Sequence, residues 1–261
     1  MPRRASTTII TIALLSYPTA NARSQQPGQT LHEHEAIELA DSLSPLISFH
    51  PWTPLLIPER HPSLTRLTED DFIKAANELG VEVATIKAVV QIEAGPSGKG
   101  FSEEGVPIIN FDFSLFQKFA KRRGIKLSKF KKSNPVVFAP LNRRKYGSTQ
   151  KAQFARLNSG MEIDSVVALE ATFWGMFQIG GFNWKKCGCS SVDEFVELMS
   201  TSERDQLELF VRYIISRDLG GYLQAKNWAG FAMRYNGKSY AKRGYHKRLA
   251  RAYRKFASKN K

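Results

Sequence analysis

The sequence predicts a mainly α-helical domain, and three observations lead there. Apolar residues recur at three- and four-residue spacing through segment after segment. A strong helix start, with acids in its first turn, opens the first of these segments. The period-two alternation of a half-buried strand is nearly absent.

Taken in order, the first helix is expected over 69–79. Thr68 is its N-cap, Glu69, Asp70 and Asp71 fill its first turn, and Gly80 stops it. Phe72, Ala75, Ala76 and Leu79 form its apolar face. A second helix spans 82–93 and ends at Gly95-Pro96. Further helices are expected at 113–123, 162–173, 192–199, 203–218 and 226–235, with a basic one at 244–257. The stretch 125–160 is basic and irregular and reads as a long loop or insertion. No internal repeat is present.

At 261 residues the chain has room for one sizeable domain and appendages, and its 42% hydrophobic content is ordinary for a globular protein. Its formal charge of +14 is not ordinary. Such a surface attracts polyanions: nucleic acid, anionic lipid or an anionic cell wall. No groove-reading motif accompanies the charge, so nucleic acid is not an expected partner. Arg3 and Arg4 precede an uncharged stretch over 5–22 that ends in Ala20-Asn21-Ala22, the pattern of a cleavable export signal. Its apolar centre is too short for a stable membrane span, which needs about 20 residues. Without 1–22 the net charge remains about +12, so the basic character belongs to the remainder of the chain. Residues 23–66 combine a linker-like start, a short helical stretch and several prolines, and 67–257 is the expected domain.

Metal chemistry finds little support. Cys187 and Cys189 are too close for an unstrained disulfide and too few for a zinc site, so they read as a loop with at least one buried thiol. His32 and His34 would point to different faces of a helix. No metal or organic cofactor is expected.

The carboxylates are more informative. On helix 82–93, Ile86, Val89 and Val90 form a stripe that Glu93 continues. A carboxyl group on that side, at the negative end of a helix dipole, is pushed toward its protonated form, as a general acid requires. Snorkelling to solvent is the structural alternative. Glu170 follows Ile163, Val166 and Val167 in the same way and reads as a second catalytic carboxylate, a loop anchor or a salt-bridge partner. Asp112, within Phe111-Asp112-Phe113, is either a site residue or a helix-start acid. The late aromatics Trp184, Trp228, Tyr235, Tyr240 and Tyr245 suit either sugar stacking or a core, while Gln178 and Asn236 offer amides to hydroxyl groups.

Together these residues resemble the N-acetylmuramidase family of phage endolysins and bacterial cell-wall hydrolases. The resemblance runs from Leu67 to Tyr253. It includes Leu67-Thr68-Glu69-Asp70-Asp71-Phe72, the helix leading to Glu93, Gly98-Lys99-Gly100-Phe101 and Tyr146-Gly147. Its most specific blocks are Ala168-Leu169-Glu170, Trp174-Gly175-Met176-Phe177-Gln178-Ile179 and Tyr235-Asn236-Gly237. It implies a lysozyme-like helical fold, cleavage of the β-1,4 bond between N-acetylmuramic acid and N-acetylglucosamine, and Glu93 as the catalytic acid. It implies Phe101, Trp174, Gln178, Tyr235 and Asn236 as substrate-binding residues. The family usually reads Phe-Glu-x-His where this chain has Phe111-Asp112-Phe113-Ser114. The carboxylate sits on a shorter arm and the histidine is missing, which leaves the second acidic role open between Asp112 and Glu170. The expected protein is an exported, monomeric peptidoglycan hydrolase acting on glycan strands. A lytic transglycosylase and an inactive wall-binding module are the alternatives.

Overall fold

The structure is a computed structural model that describes residues 66–95, 98–102, 106–139 and 149–258. The expected export signal, all but the last residue of 23–66, the His32/His34 pair and Tyr146-Gly147 lie outside these residues.

Helix α1 (Glu69–Leu79) opens as its sequence dictates. The Thr68 hydroxyl accepts from the Asp71 amide, and the Asp71 carboxylate accepts from the Thr68 amide. Gly80 closes the helix at a φ of 62°, in the left-handed region that glycine adopts without strain. Helix α2 (Val83–Glu93) follows at once and buries Ile86, Ala88 and Val89 completely. The chain then forms strand β1 (Ile109–Phe111), helix α3 (Phe113–Arg122), a 3-10 turn (Leu127–Phe130), and helices α4 (Pro135–Phe138), α5 (Gln150–Met161) and α6 (Ser165–Glu170). Strands β2 (Thr172–Trp174) and β3 (Ile179–Gly180) precede a 3-10 segment, Gly181–Cys187. Helices α7 (Val192–Met199), α8 (Glu203–Ser216), α9 (Gly220–Gln224) and α10 (Trp228–Asn236), a 3-10 turn (Lys238–Tyr240) and helix α11 (Tyr245–Ala257) complete the domain.

Two expectations need correction. The helix expected over 162–173 is only α6, because the Asp164 side chain caps it late by accepting from the Val167 amide. The residues that follow, Thr172, Phe173 and Trp174, are β-branched or aromatic. They pair antiparallel with β1, Ile109 opposite Trp174 and Phe111 opposite Thr172, and β3 pairs on the far side of β2. The second correction concerns 125–160, which contains α4 and α5 rather than a continuous loop. The inward face of α5 is partly polar because it covers a strand edge. The Gln150 side chain accepts from the Ile109 amide and donates to the Ile109 carbonyl, and Gln153 accepts from the Phe111 amide. These glutamines satisfy β1 as a fourth strand would.

Gln206 of α8 has a comparable role deeper in the fold. Completely buried, it accepts from the Met176 amide and donates to the carbonyls of Gly100 and Met199. Its neighbours at Gly100 and Gly175 must lack a side chain, because a Cβ there would lie 2.2 and 2.7 Å from Gln206 atoms. Glu203, one turn earlier, accepts from the Gly100 and Leu67 amides. The start of α8 therefore fixes both the segment following α2 and the β2–β3 turn.

Replacing Gln206 with Leu keeps the volume but orphans the Met176 amide and the Met199 carbonyl, while the Gly100 carbonyl keeps the Ile108 amide. It is expected to lower unfolding free energy by about 3 kcal/mol, read as a lower urea midpoint with an unchanged slope.

Candidate active site

Glu93 is the last residue of α2, and α11, some 150 residues later in the chain, packs along this helix. Leu249 and Ala252 lie on the buried side of α11, one and two turns beyond the buried Tyr245. This spacing directs Tyr245 inward at the level of Glu93. The Glu93 stripe is thus a buried one, as its periodicity predicts, and the carboxyl sits where the stripe reaches the domain surface.

Part of Glu93 is exposed, but its Oε1 is sealed from solvent and has no hydrogen-bond partner among the described residues. Burial raises its pKa to about 7, against the lowering influence of Tyr245, Asn236 and Arg248. The pocket therefore holds a proton on a carboxyl group that would be fully ionised in water. Tyr235 lies in the same electrostatic neighbourhood: burial, then the Glu93 charge, drives its phenol well above the usual range.

The Tyr235-Asn236-Gly237 block has two functions. Tyr235 donates from its hydroxyl to the Phe177 carbonyl at 3.0 Å and is caged by Phe210, Tyr213 and Phe231. It thereby ties α10 to the β2–β3 turn. Asn236, exposed at the end of α10, faces Glu93. On the turn itself, Gln178 takes a φ of 47° and steadies this left-handed conformation by donating from its side-chain amide to the Gly175 carbonyl at 2.8 Å.

Glu93, Tyr235 and Asn236 are therefore gathered at one place, with the Gln178 turn anchored to it. Other expected site residues are employed elsewhere. Trp174 has no exposed surface and donates its indole N–H to the Leu169 carbonyl, so it is a core residue with no face for a sugar. Phe101 is nearly buried, in an isolated bridge with Pro107. Asp112 is the N-cap of α3, accepting from the Leu115 amide. Glu170 accepts from the Trp184 indole at 3.1 Å and so anchors the segment after β3. Neither carboxylate is among the groups that set the Glu93 pKa.

Two further groups face Glu93: Tyr245, which the sequence offers only as one of several aromatics suited to sugar stacking or a core, and Arg248, which it does not single out. Tyr245 is legible in hindsight as the inward aromatic of the basic helix at 244–257. Arg248 is exposed and indistinguishable in sequence from the other cations of that helix. Cys187 and Cys189 are both buried and free. Burial pushes their thiols up to about 12 and about 11, which removes them from nucleophilic chemistry near neutral pH. Among the described residues, no cluster of three or more His, Cys, Asp or Glu is arranged to hold a metal. No helix among them is long and apolar enough to cross a membrane.

This helical domain with its short three-stranded sheet is a glycoside hydrolase of the lysozyme type, as its family and a solved structural neighbour show. The family model described as N-acetylmuramidase matches residues 82–257, and the chain belongs to that family. In structure it is similar to the Burkholderia AP3 phage endolysin, with a TM-score of 0.67 and 35% sequence identity over 77% of this chain and 74% of that one. A search of curated proteins finds no match. The chain is a peptidoglycan hydrolase.

The Glu93 pKa has a consequence for stability. Below pH 4.5 the carboxyl is protonated whether the chain is folded or not. Between 4.5 and about 7 the unfolded chain releases the proton first, so the folded state loses about 3 kcal/mol as pH rises through that window. Glu93→Gln removes this burden. The variant is expected to melt at the wild-type temperature at pH 4 and several degrees higher at pH 8, as measured by calorimetry.

Proposed function

We propose that this chain cleaves the β-1,4 bond from N-acetylmuramic acid to N-acetylglucosamine, with Glu93 as general acid. The observation that carries the proposal is the Glu93 carboxyl, sealed at Oε1 and protonated up to about pH 7. As the C1–O bond breaks, its electron pair passes to the glycosidic oxygen, which takes the Glu93 proton, and positive charge develops on the sugar ring. Asn236 and Gln178 are the polar groups proposed to meet sugar hydroxyls. Asp112 is proposed as the acid that activates water; like Glu170, which accepts from the Trp184 indole, it already accepts one hydrogen bond, from the Leu115 amide.

A second reading, lytic transglycosylation, draws on a specific observation: among the described residues, no other carboxylate acts on Glu93. A retaining pair about 5 Å apart would couple strongly. A single acid assisted by the sugar's own 6-hydroxyl would need no such partner, and would leave 1,6-anhydro ends.

Charge supports attraction to an anionic wall. After Asp218 the chain contains twelve Lys and Arg and no acid. Lys242, Arg243, Lys247, Arg248, Arg251, Arg254 and Lys255 all lie exposed on α11 or just before it. The N-terminal pattern over 1–22 supports export toward that wall.

Glu93→Gln is expected to abolish release of muropeptides from purified peptidoglycan, and persistent release would remove the assignment. Mass analysis of wild-type products should show one water added per cut; anhydro ends would favour the second reading. Asp112→Asn keeps a competent N-cap while removing the charge. It is expected to reduce turnover by at least about a hundredfold at an unchanged melting temperature. Wall binding should weaken as salt rises from about 0.05 to about 0.5 M, as followed by sedimentation with insoluble wall.

A further inference from the structure

Two buried oxygens in the site lack hydrogen-bond partners among the described residues: Oε1 of Glu93 and the hydroxyl of Tyr245. Tyr245 is 8% exposed, in the first turn of α11, directly above Leu249. A phenol buried without a partner weakens a fold, and phenylalanine would fill the same space without leaving a desolvated hydroxyl. The oxygen therefore needs a reason outside stability.

The protonation cycle of Glu93 offers one. The neutral carboxyl tolerates a dry pocket, but the carboxylate left after proton donation does not. Among the groups facing it, Arg248 on α11 and Asn236 on α10 are exposed and compete with water for their contacts. Tyr235 on α10 already donates its hydrogen to Phe177. From α1, the charged group against α2 is Glu69, paired with Lys87 nearly two turns before Glu93. Tyr245 alone of these is both buried and without a well-formed hydrogen bond, with Glu93 and the exposed Asn236 as the groups within its reach. Burial and the neighbouring carboxyl drive its phenol far above the usual range, so it keeps its hydrogen and can only donate.

We infer that Tyr245 is a positioning residue that turns its hydroxyl hydrogen onto the Glu93 carboxylate as that group loses its proton, fixing its orientation and stabilising its charge. The inference rests on Glu93 being the acid. No proton leaves Tyr245; it lends a hydrogen bond and recovers the resting state when Glu93 is reprotonated.

Tyr245→Phe in the full chain removes the donor alone. Its kcat/KM on purified peptidoglycan should hold to higher pH than that of wild type before it falls. The alkaline limb should move up by about one pH unit, with kcat down about tenfold, KM little changed and the melting temperature unchanged or raised. Installing 3-fluorotyrosine at 245, a stronger donor of nearly the same shape, should move the limb down instead, and it serves equally if the Phe variant folds poorly. A limb that stays at the wild-type position in either folded variant overturns the role of Tyr245, whatever the absolute rate. If Glu93→Gln is inactive while the limb stays fixed, the proposal for Tyr245 falls alone; if Glu93→Gln keeps activity, the general-acid reading falls with it.

Discussion

The whole site depends on keeping water away from one carboxyl oxygen, and that dryness is made by two helices far apart in the chain. α2 delivers Glu93 at the end of a stripe formed by Ile86, Val89 and Val90, all buried. α11 closes over it with Tyr245, Leu249 and Ala252. At the opposite end of α2, Glu82 pairs with Lys226 and accepts from the Tyr253 hydroxyl, fixing the register of the two helices. Exposed ties of this kind add little energy. Here their value is positional, since a slip of one residue would turn Tyr245 off the pocket.

Buried polar side chains repeat this division of labour. Half-buried Gln150 and buried Gln153 spend their hydrogen bonds on the edge of β1, and buried Glu203 and Gln206 spend theirs on backbone groups of loops and a helix end. Each joins a helix to a loop or strand that cannot satisfy itself. Loops around a buried carboxyl group cannot be covered wholly by apolar packing, because their amides and carbonyls would be stranded. The helices therefore carry amides and a carboxylate to meet them, and the β2–β3 turn is held from both sides, by Gln206 and by Tyr235.

The site also shows which electrostatic influence prevails. In a chain with a formal charge of +14, the general field and Arg248 in particular favour ionised Glu93. Desolvation acts the other way and wins, because it operates on the carboxyl itself while exposed cations are screened by solvent. An acidic enzyme group and a strongly basic surface thus coexist without conflict. The surface charge acts through solvent, and the pocket acts on the proton directly.

Much of this was written in the chain as periodicity and caps. The helical class, the capping box at Thr68, the stop at Gly80 and the inward side of Glu93 follow from local spacing, since a helix repeats every 3.6 residues wherever it lies. The neighbours of Glu93 are another matter. α5 was hidden because its inward glutamines serve the edge of β1, and a polar face covering a strand edge carries no apolar stripe. β2 was hidden because three residues give too short a pattern to separate from the helix before them. Trp174 and Tyr245 are both large aromatics near sequence motifs, yet one is sealed in the core and the other faces the acid. Local sequence determined which side of its own helix each residue occupies. Only the packing of distant elements decided what lies opposite, because dryness and charge at a point in space are set by everything that surrounds it.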